Sequence, residues 1–147
     1  MVICALLFAP GWLYSVYKVS REGFPPFTIK HRKAYLEEKL PSYSAYQYLN
    51  RTKGSNYTVY ALFDENMAYF ADGRFMGDWF GPGRFDRIYQ KLNNPRVLHQ
   101  ELRTLGADYL LVRVDKAKKD FGRIFLSPSL FKLNYKNDHV LLFEVLK

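Results

Sequence analysis

A chain of 147 residues with 48% hydrophobic and 24% charged side chains fits one globular domain that buries roughly two-thirds of its unfolded surface, which excludes disorder and a fully membrane-embedded chain. Cys4 is the only cysteine, so an intrachain disulfide and any Cys-based zinc or thiol-pair site are excluded as well. The net charge of +8 favours an anionic partner, whether nucleic acid, a phospholipid surface or a phosphate-bearing substrate. Twelve Tyr, twelve Phe and two Trp supply rings suited to strands and interfaces.

From Val2 to Tyr17 there is no charged residue, and Leu6, Leu7, Phe8, Trp12, Leu13, Tyr14 and Tyr17 make the stretch apolar before Lys18. It is too short to span, since a spanning helix needs ~20 apolar residues, and Pro10 with Gly11 is expected to interrupt it. No basic segment precedes it and no small-x-small cleavage pattern follows, so a secretory signal peptide fits poorly. Residues 1–22 therefore read as the truncated end of a transmembrane or membrane-interface segment. Trp12, Tyr14 and Tyr17 would lie in the interfacial belt, with Lys18 and Arg21 at the headgroups. The plainer alternative is a buried N-terminal helix or strand. Residues 23–27, with Pro25 and Pro26 adjacent, read as a linker, and residues 28–147 as a soluble domain.

Within that domain Ile29, Leu36 and Leu40 keep helical spacing, Tyr35 widens the stripe, and Pro41 ends it. Ser42 is placed to cap a second helix through Asn50, with Ala45, Tyr46 and Leu49 on one face and Gly54 stopping the chain. Residues 58–63 form a β-rich apolar run, 64–66 are turn-like, and 67–71 form a second short run, which predicts a strand pair. A glycine-rich loop over 72–83 follows. Phe85, Ile88, Tyr89 and Leu92 then recur at helical spacing. Asn94 as cap and Pro95 at the first position open another helix, with Leu98, Leu102 and Leu105 on its face and Gly106 closing it. Residues 107–114 read as a buried strand, reached by a helical crossover that predicts parallel pairing with the strand at Val59. Phe131, Leu133 and Tyr135 alternate with polar residues, Asn137-Asp138 turns the chain, and 140–146 read as an inner strand paired with the one before it. The predicted fold is α/β, a mixed sheet of about four to five strands flanked by helices.

No convergent catalytic set emerges. His31, His99 and His139 lack metal-ligand spacing and read as surface histidines; neither a nucleophile elbow nor a phosphate loop occurs, and Gly73, Gly77, Gly81 and Gly83 do not make a dinucleotide fingerprint. This predicts no catalytic residue, no metal and no cofactor within the chain. Asp64, Glu65, Asp72 and Asp78 lie near strand ends, where α/β folds commonly place ligands, although such residues more often make turns. In the loop, Phe75, Trp79 and Phe80 could stack on a sugar, Arg74 and Arg84 could grip a phosphate, and Asp78 could bond a sugar hydroxyl or a loop amide. Arg74, Asp78, Trp79 and Arg84 are thus the candidate substrate- or partner-binding residues. Packing against a neighbouring domain explains the same residues. Asn50-Arg51-Thr52 and Asn56-Tyr57-Thr58 match the glycosylation acceptor pattern, which matters only in a eukaryotic secretory setting.

Tyr35-Leu36 followed by Leu40-Pro41, Tyr43, Ala45 and Tyr48-Leu49-Asn50, the strand Val59-Tyr60-Ala61-Leu62, Gly77-Asp78-Trp79, the run from Leu105 to Val112 and the closing strand occur in an order worth noting. Together, after an apolar segment, they resemble the C-terminal domains of bacterial membrane glycosyltransferases of the GT-C superfamily, the protein O-mannosyltransferase and aminoarabinose-transferase-like proteins. The resemblance covers about residues 28–147 and carries no catalytic motif. It implies a non-catalytic extracytoplasmic domain of a polytopic enzyme that uses a polyprenyl-phosphate-linked sugar. Such a domain would cover the membrane active site or bind acceptor, partnered by a transmembrane domain and by lipid-phosphate sugar. The basic residues Lys18, Arg21 and Lys30 to Lys33 pull the other way, because the positive-inside rule favours a cytoplasmic side. Two other readings stand beside this one. A basic nucleic-acid-binding module fits the charge but lacks any recognisable motif, and a small stand-alone enzyme would use the carboxylates near Asp72 and Asp78.

Overall fold

A computed structural model describes residues 2–23, 26–77, 83–117 and 127–147, with the backbone alone described for residues 2–9 and 22. The chain divides into two compact units, Met1–Glu38 and Lys39–Lys147. The boundary falls later than the Thr28 start read from the sequence, so nearly all of the first domain helix groups with the N-terminal segment.

The first unit holds α1 (Val2–Glu22) and α2 (Ile29–Lys39). Helix α1 runs unbroken through Pro10 and Gly11, where an interruption was expected. Proline forfeits only its own amide bond, and Ala5, Leu6, Leu7 and Ala9 before it are good helix formers. Among the described residues no helix is long and apolar enough to cross a membrane. Helix α2, the helix expected from the apolar spacing, fully buries none of its residues: Tyr35 and Leu36 are half-buried and Ile29 is 90% exposed.

The second unit is the predicted α/β fold. Its elements are α3 (Tyr43–Lys53), β1 (Thr58–Leu62), a 3-10 helix (Glu65–Phe70), β2 (Arg74–Met76), α4 (Arg84–Tyr89), α5 (Pro95–Thr104), β3 (Tyr109–Arg113), α6 (Val114–Ala117), β4 (Phe131–Lys136) and β5 (Val140–Val145). The five strands form one mixed sheet in the order β2-β1-β3-β5-β4. β1 is parallel to β2 and to β3, with Val59 opposite Tyr109 and Leu62 opposite Val112, while β5 runs antiparallel to both neighbours. The crossover between β1 and β3 and the inner position of β5 match the sequence reading. The partner of β1 does not. Residues 67–71 were expected to pair with it, but Met67 to Phe70 lie in the 3-10 helix and the pairing strand is Arg74–Met76, inside the expected loop.

Gly73 explains how so short a strand docks. A Cβ there would stand 2.5 Å from the Tyr57 carbonyl oxygen and 2.8 Å from its ring, so only glycine lets the chain pass before Arg74 N donates to that carbonyl at 2.8 Å. Helix α5 is built as its sequence dictates. Asn94 accepts from Val97 N, Pro95 opens the helix, Leu98 and Leu102 are buried, and Gly106 adopts a φ of 72°. Ser42 precedes α3 as expected but makes no capping bond, because its side chain is turned into the domain. The core joins Tyr60, Leu62, Ile88, Leu98, Leu102, Leu110 and Phe143 between the sheet and helices α4 and α5.

Candidate functional site

The parallel strands β2, β1 and β3 end at Met76, Leu62 and Arg113, and this carboxyl edge is where open α/β sheets place ligands. The chain leaves β1 through Phe63, whose φ of 62° is uncommon for a residue with a Cβ. That conformation costs of order 1 kcal/mol and is held by ring contacts, 5.7 Å to Phe85 and 6.2 Å to Tyr89. The bend delivers Asp64, only 5% exposed, into the domain.

Three elements meet around that carboxylate. Tyr46 of α3 donates its hydroxyl to Asp64 Oδ2 at 3.1 Å, and Arg113 from the end of β3 places a guanidinium nitrogen 3.6 Å from Oδ1. The same guanidinium grips Asp115 through both oxygens, at 2.9 and 2.5 Å. Burial raises the Asp64 carboxyl above its ordinary range, while Ser42, Tyr46 and Arg113 partly offset the shift by favouring the charged form. The Ser42 hydroxyl sits close enough to exert that influence yet meets no partner in good hydrogen-bond geometry. Tyr46 is held protonated far beyond its usual range, first by burial and then by the neighbouring Asp64 charge. Asp115 is lowered by its bonds to Arg113. Two carboxylates thus share one guanidinium whose donors are committed to them. The arrangement fastens α3, β1 and β3 together and presents no activated nucleophile.

Sequence reasoning singled out Asp64 but missed Tyr46, Arg113 and Asp115 as its surroundings. Arg113 ends an apolar strand, and a cation in that position was the available signal. Asp78 and Trp79 lie outside the described residues, as does Phe80. Gly77, the last described residue before them, lies beside Glu65, where a Cβ on it would come within 3.3 Å of Glu65 Cα. Arg84, partly buried, opens α4 at this same edge, where its neighbour Phe85 packs on Phe63. Arg74 is elsewhere. It pairs with Thr58 at the start of β1, about 15 Å from the Phe63 end at the rise of a strand, so the two arginines do not converge.

The edge nearer Arg74 carries an open pocket of about 430 Å³, lined by Lys53, Asn56, Asp108, Tyr109, Glu144 and Lys147 among others. Its polar groups serve the fold. Asp108 accepts from Thr58 N at 2.9 Å, Glu144 accepts from Asn134 at 2.9 Å, and the Tyr109 hydroxyl is bonded to Lys53. Asn50, the first glycosylation candidate, is likewise committed. Its amide donates to the Phe70 carbonyl at 2.9 Å, and its oxygen accepts from the Tyr57 hydroxyl at 2.6 Å and Asp72 N at 3.1 Å. His99 contacts the Leu146 carbonyl at 2.7 Å and stacks edge-on against Phe131, so it is part of the packing and not a free surface histidine. Among the described residues no group of three His, Cys, Asp or Glu could hold a metal ion.

No curated protein matches the chain. The family match runs from the first turn of α2 almost to the end of β5, which includes every residue of the Asp64 cluster, and by it the chain belongs to the family described as SF2091/S2213, matched over residues 31–144.

Proposed function

We propose that this chain is a membrane-attached, non-catalytic extracytoplasmic part of a polytopic glycosyltransferase of the GT-C kind, its α/β domain covering the active site or binding acceptor for a polyprenyl-phosphate-linked sugar. The observation that carries the membrane attachment is the outward display of Trp12, Leu13, Tyr14, Val16 and Tyr17 on α1. Trp12 alone is 68% exposed. Successive helix positions are rotated by about 100°, so these side chains span an arc of about 200° around the helix, wider than the ~100° stripe that faces a protein core, with Gly11, Ser15 and Lys18 on the remaining side. The non-catalytic role is supported by the way buried Asp64 and exposed Asp115 are both bound to Arg113 at the carboxyl edge. The glycosyltransferase assignment rests on the ordered sequence resemblance.

Sugar transfer from a polyprenyl-phosphate donor, assayed in membranes of cells carrying the gene and of cells lacking the segment for residues 39–147, tests the proposal. Transfer should require the segment, and the purified chain should show none by itself. Transfer by the purified chain would overturn the non-catalytic role. Equal transfer with and without the segment would remove the glycosyltransferase assignment.

A further inference from the structure

The first turn of α2 carries charges that its own backbone disfavours. Lys30, Arg32 and Lys33 crowd the end where the helix dipole is positive, with no acidic residue in the first turn, while Glu37 and Glu38 lie near the negative end. Lys33 and Glu37 approach to 3.9 Å in the i, i+4 order that stabilises a helix less, with the cation first. All of these side chains are exposed, and α2 buries nothing that would repay the arrangement. A local conflict of this kind, with no acidic residue in the first turn to offset it, marks a surface shaped for something outside the helix.

The neighbouring helix says what that is. On α1 the exposed rings are interleaved with cations, Lys18 lying 6.0 Å over the Tyr14 ring and Arg21 donating to the Tyr17 hydroxyl at 2.8 Å. Rings of Trp and Tyr followed by Lys and Arg match the passage from acyl chains to headgroups. Only a few residues join Arg21 to Lys30, which limits the basic turn to within about 30 Å of the end of α1 even for a fully extended link. The exposed apolar arc of α1, about 200° wide, exceeds the ~100° stripe by which a helix docks one face into a protein groove and suits a bilayer surface, and the basic turn calls for negative charge at that surface.

We infer that the exposed side chains of α1 from Trp12 to Arg21 and the basic first turn of α2 bind acidic phospholipid, with Lys30, Arg32 and Lys33 supplying headgroup selectivity beyond the membrane contact made by α1; this rests on the membrane-attached reading above. The probe is flotation of the full chain with phosphatidylcholine vesicles and with vesicles containing phosphatidylglycerol. Binding should be at least tenfold tighter to the anionic vesicles, given a several-fold gain for each basic residue at a charged surface, and the preference should vanish in high salt. The triple variant Lys30→Gln, Arg32→Gln, Lys33→Gln should bind both vesicles as the original binds phosphatidylcholine. Excess free glycerol phosphate should not displace the chain. Equal binding to both vesicles, a salt-independent preference, a preference kept by the triple variant, or displacement by glycerol phosphate would each overturn the lipid selectivity while leaving membrane attachment in place. Failure to float with either vesicle would overturn the attachment itself.

Discussion

Tyr46 and Asn50 sit one turn apart on α3 and hold different parts of the sheet, so each gives a single-residue test. Tyr46→Phe keeps the ring but removes the donor to a buried carboxylate. It should cost about 1.5–3 kcal/mol in urea unfolding, the range for a hydrogen bond to a charged group. A loss under about 0.5 kcal/mol would mean that Asp64 relies on Arg113 alone. Asn50→Ala removes bonds to Tyr57, Phe70 and Asp72 together, and should cost at least as much. The acceptor pattern at Asn50 was visible in the sequence. What the amide does was not, because Phe70 and Asp72 are brought to it only by the packing of α3 against the turn between the 3-10 helix and β2, and Tyr57 only by the entry into β1.

The acid limb of stability separates two carboxylates of opposite sign. Glu101 is lowered below its ordinary 4.5, first by its bond to Lys91 and then by the charge of Arg87. Its folded value lies below its unfolded one, so its contribution is complete above the unfolded value and is lost as pH falls through the folded one. Asp64 is raised, chiefly by burial, so its effect runs the other way. Stability attributable to Asp64 is greatest below its unfolded value and declines as pH rises through its folded one. Urea unfolding from pH 3 to 7, repeated for Glu101→Gln and Asp64→Asn, should flatten the rising component in the first variant and the falling component in the second. Identical pH profiles for both variants would contradict these assignments.

At the scale of elements, the strongest test falls on Gly73. Alanine there must displace the Tyr57 carbonyl, which is backbone in register with β1 and cannot swing aside. Gly73→Ala should cost about 1–3 kcal/mol, the range for overpacking, and should expose the β2 edge to hydrogen exchange first. Asn94→Ala, which removes only the cap of α5, should cost about 1 kcal/mol and leave β2 unaffected. If the two variants lost protection in the same amides, the sheet edge and α5 would be one cooperative unit. The physical difference is that a cap is a local bond, whereas the Gly73 contact joins two strands.

For the molecule as a whole, every described buried side chain lies between Ser42 and Val145, within the second unit. A chain beginning at Lys39 should therefore retain a single cooperative urea transition, with a midpoint close to that of the full chain. A large drop in midpoint would mean that α1 and α2 contribute packing to the core. The apolar spacing of Ile29, Leu36 and Leu40 marked the helix correctly, as α2, yet Leu36 and Leu40 are only half-buried and Ile29 is exposed. Periodicity reports a face that could be buried, and burial requires a second surface to cover it.

The sequence by itself determined the elements whose information is local. Helix α5 carries its cap, its opening proline, its apolar face and its closing glycine within a dozen or so residues, and β5 carries its apolar run and the Asn137 turn before it, whereas the alternation read in β4 is broken by a bulge between Leu133 and Tyr135 that leaves Leu133 exposed. Parallel pairing of β1 with β3 followed from the helical crossover between them. Only the tertiary structure decided the edge strand β2, because three residues are too few to show a period and their pairing depends on a glycine passing close to Tyr57. It alone decided which acidic residue near a strand end would be buried. Asp64 reads like any turn carboxylate until the bend at Phe63 turns it toward Tyr46 and Arg113, residues 18 and 49 positions away in the chain, and no local pattern records a contact made at that distance.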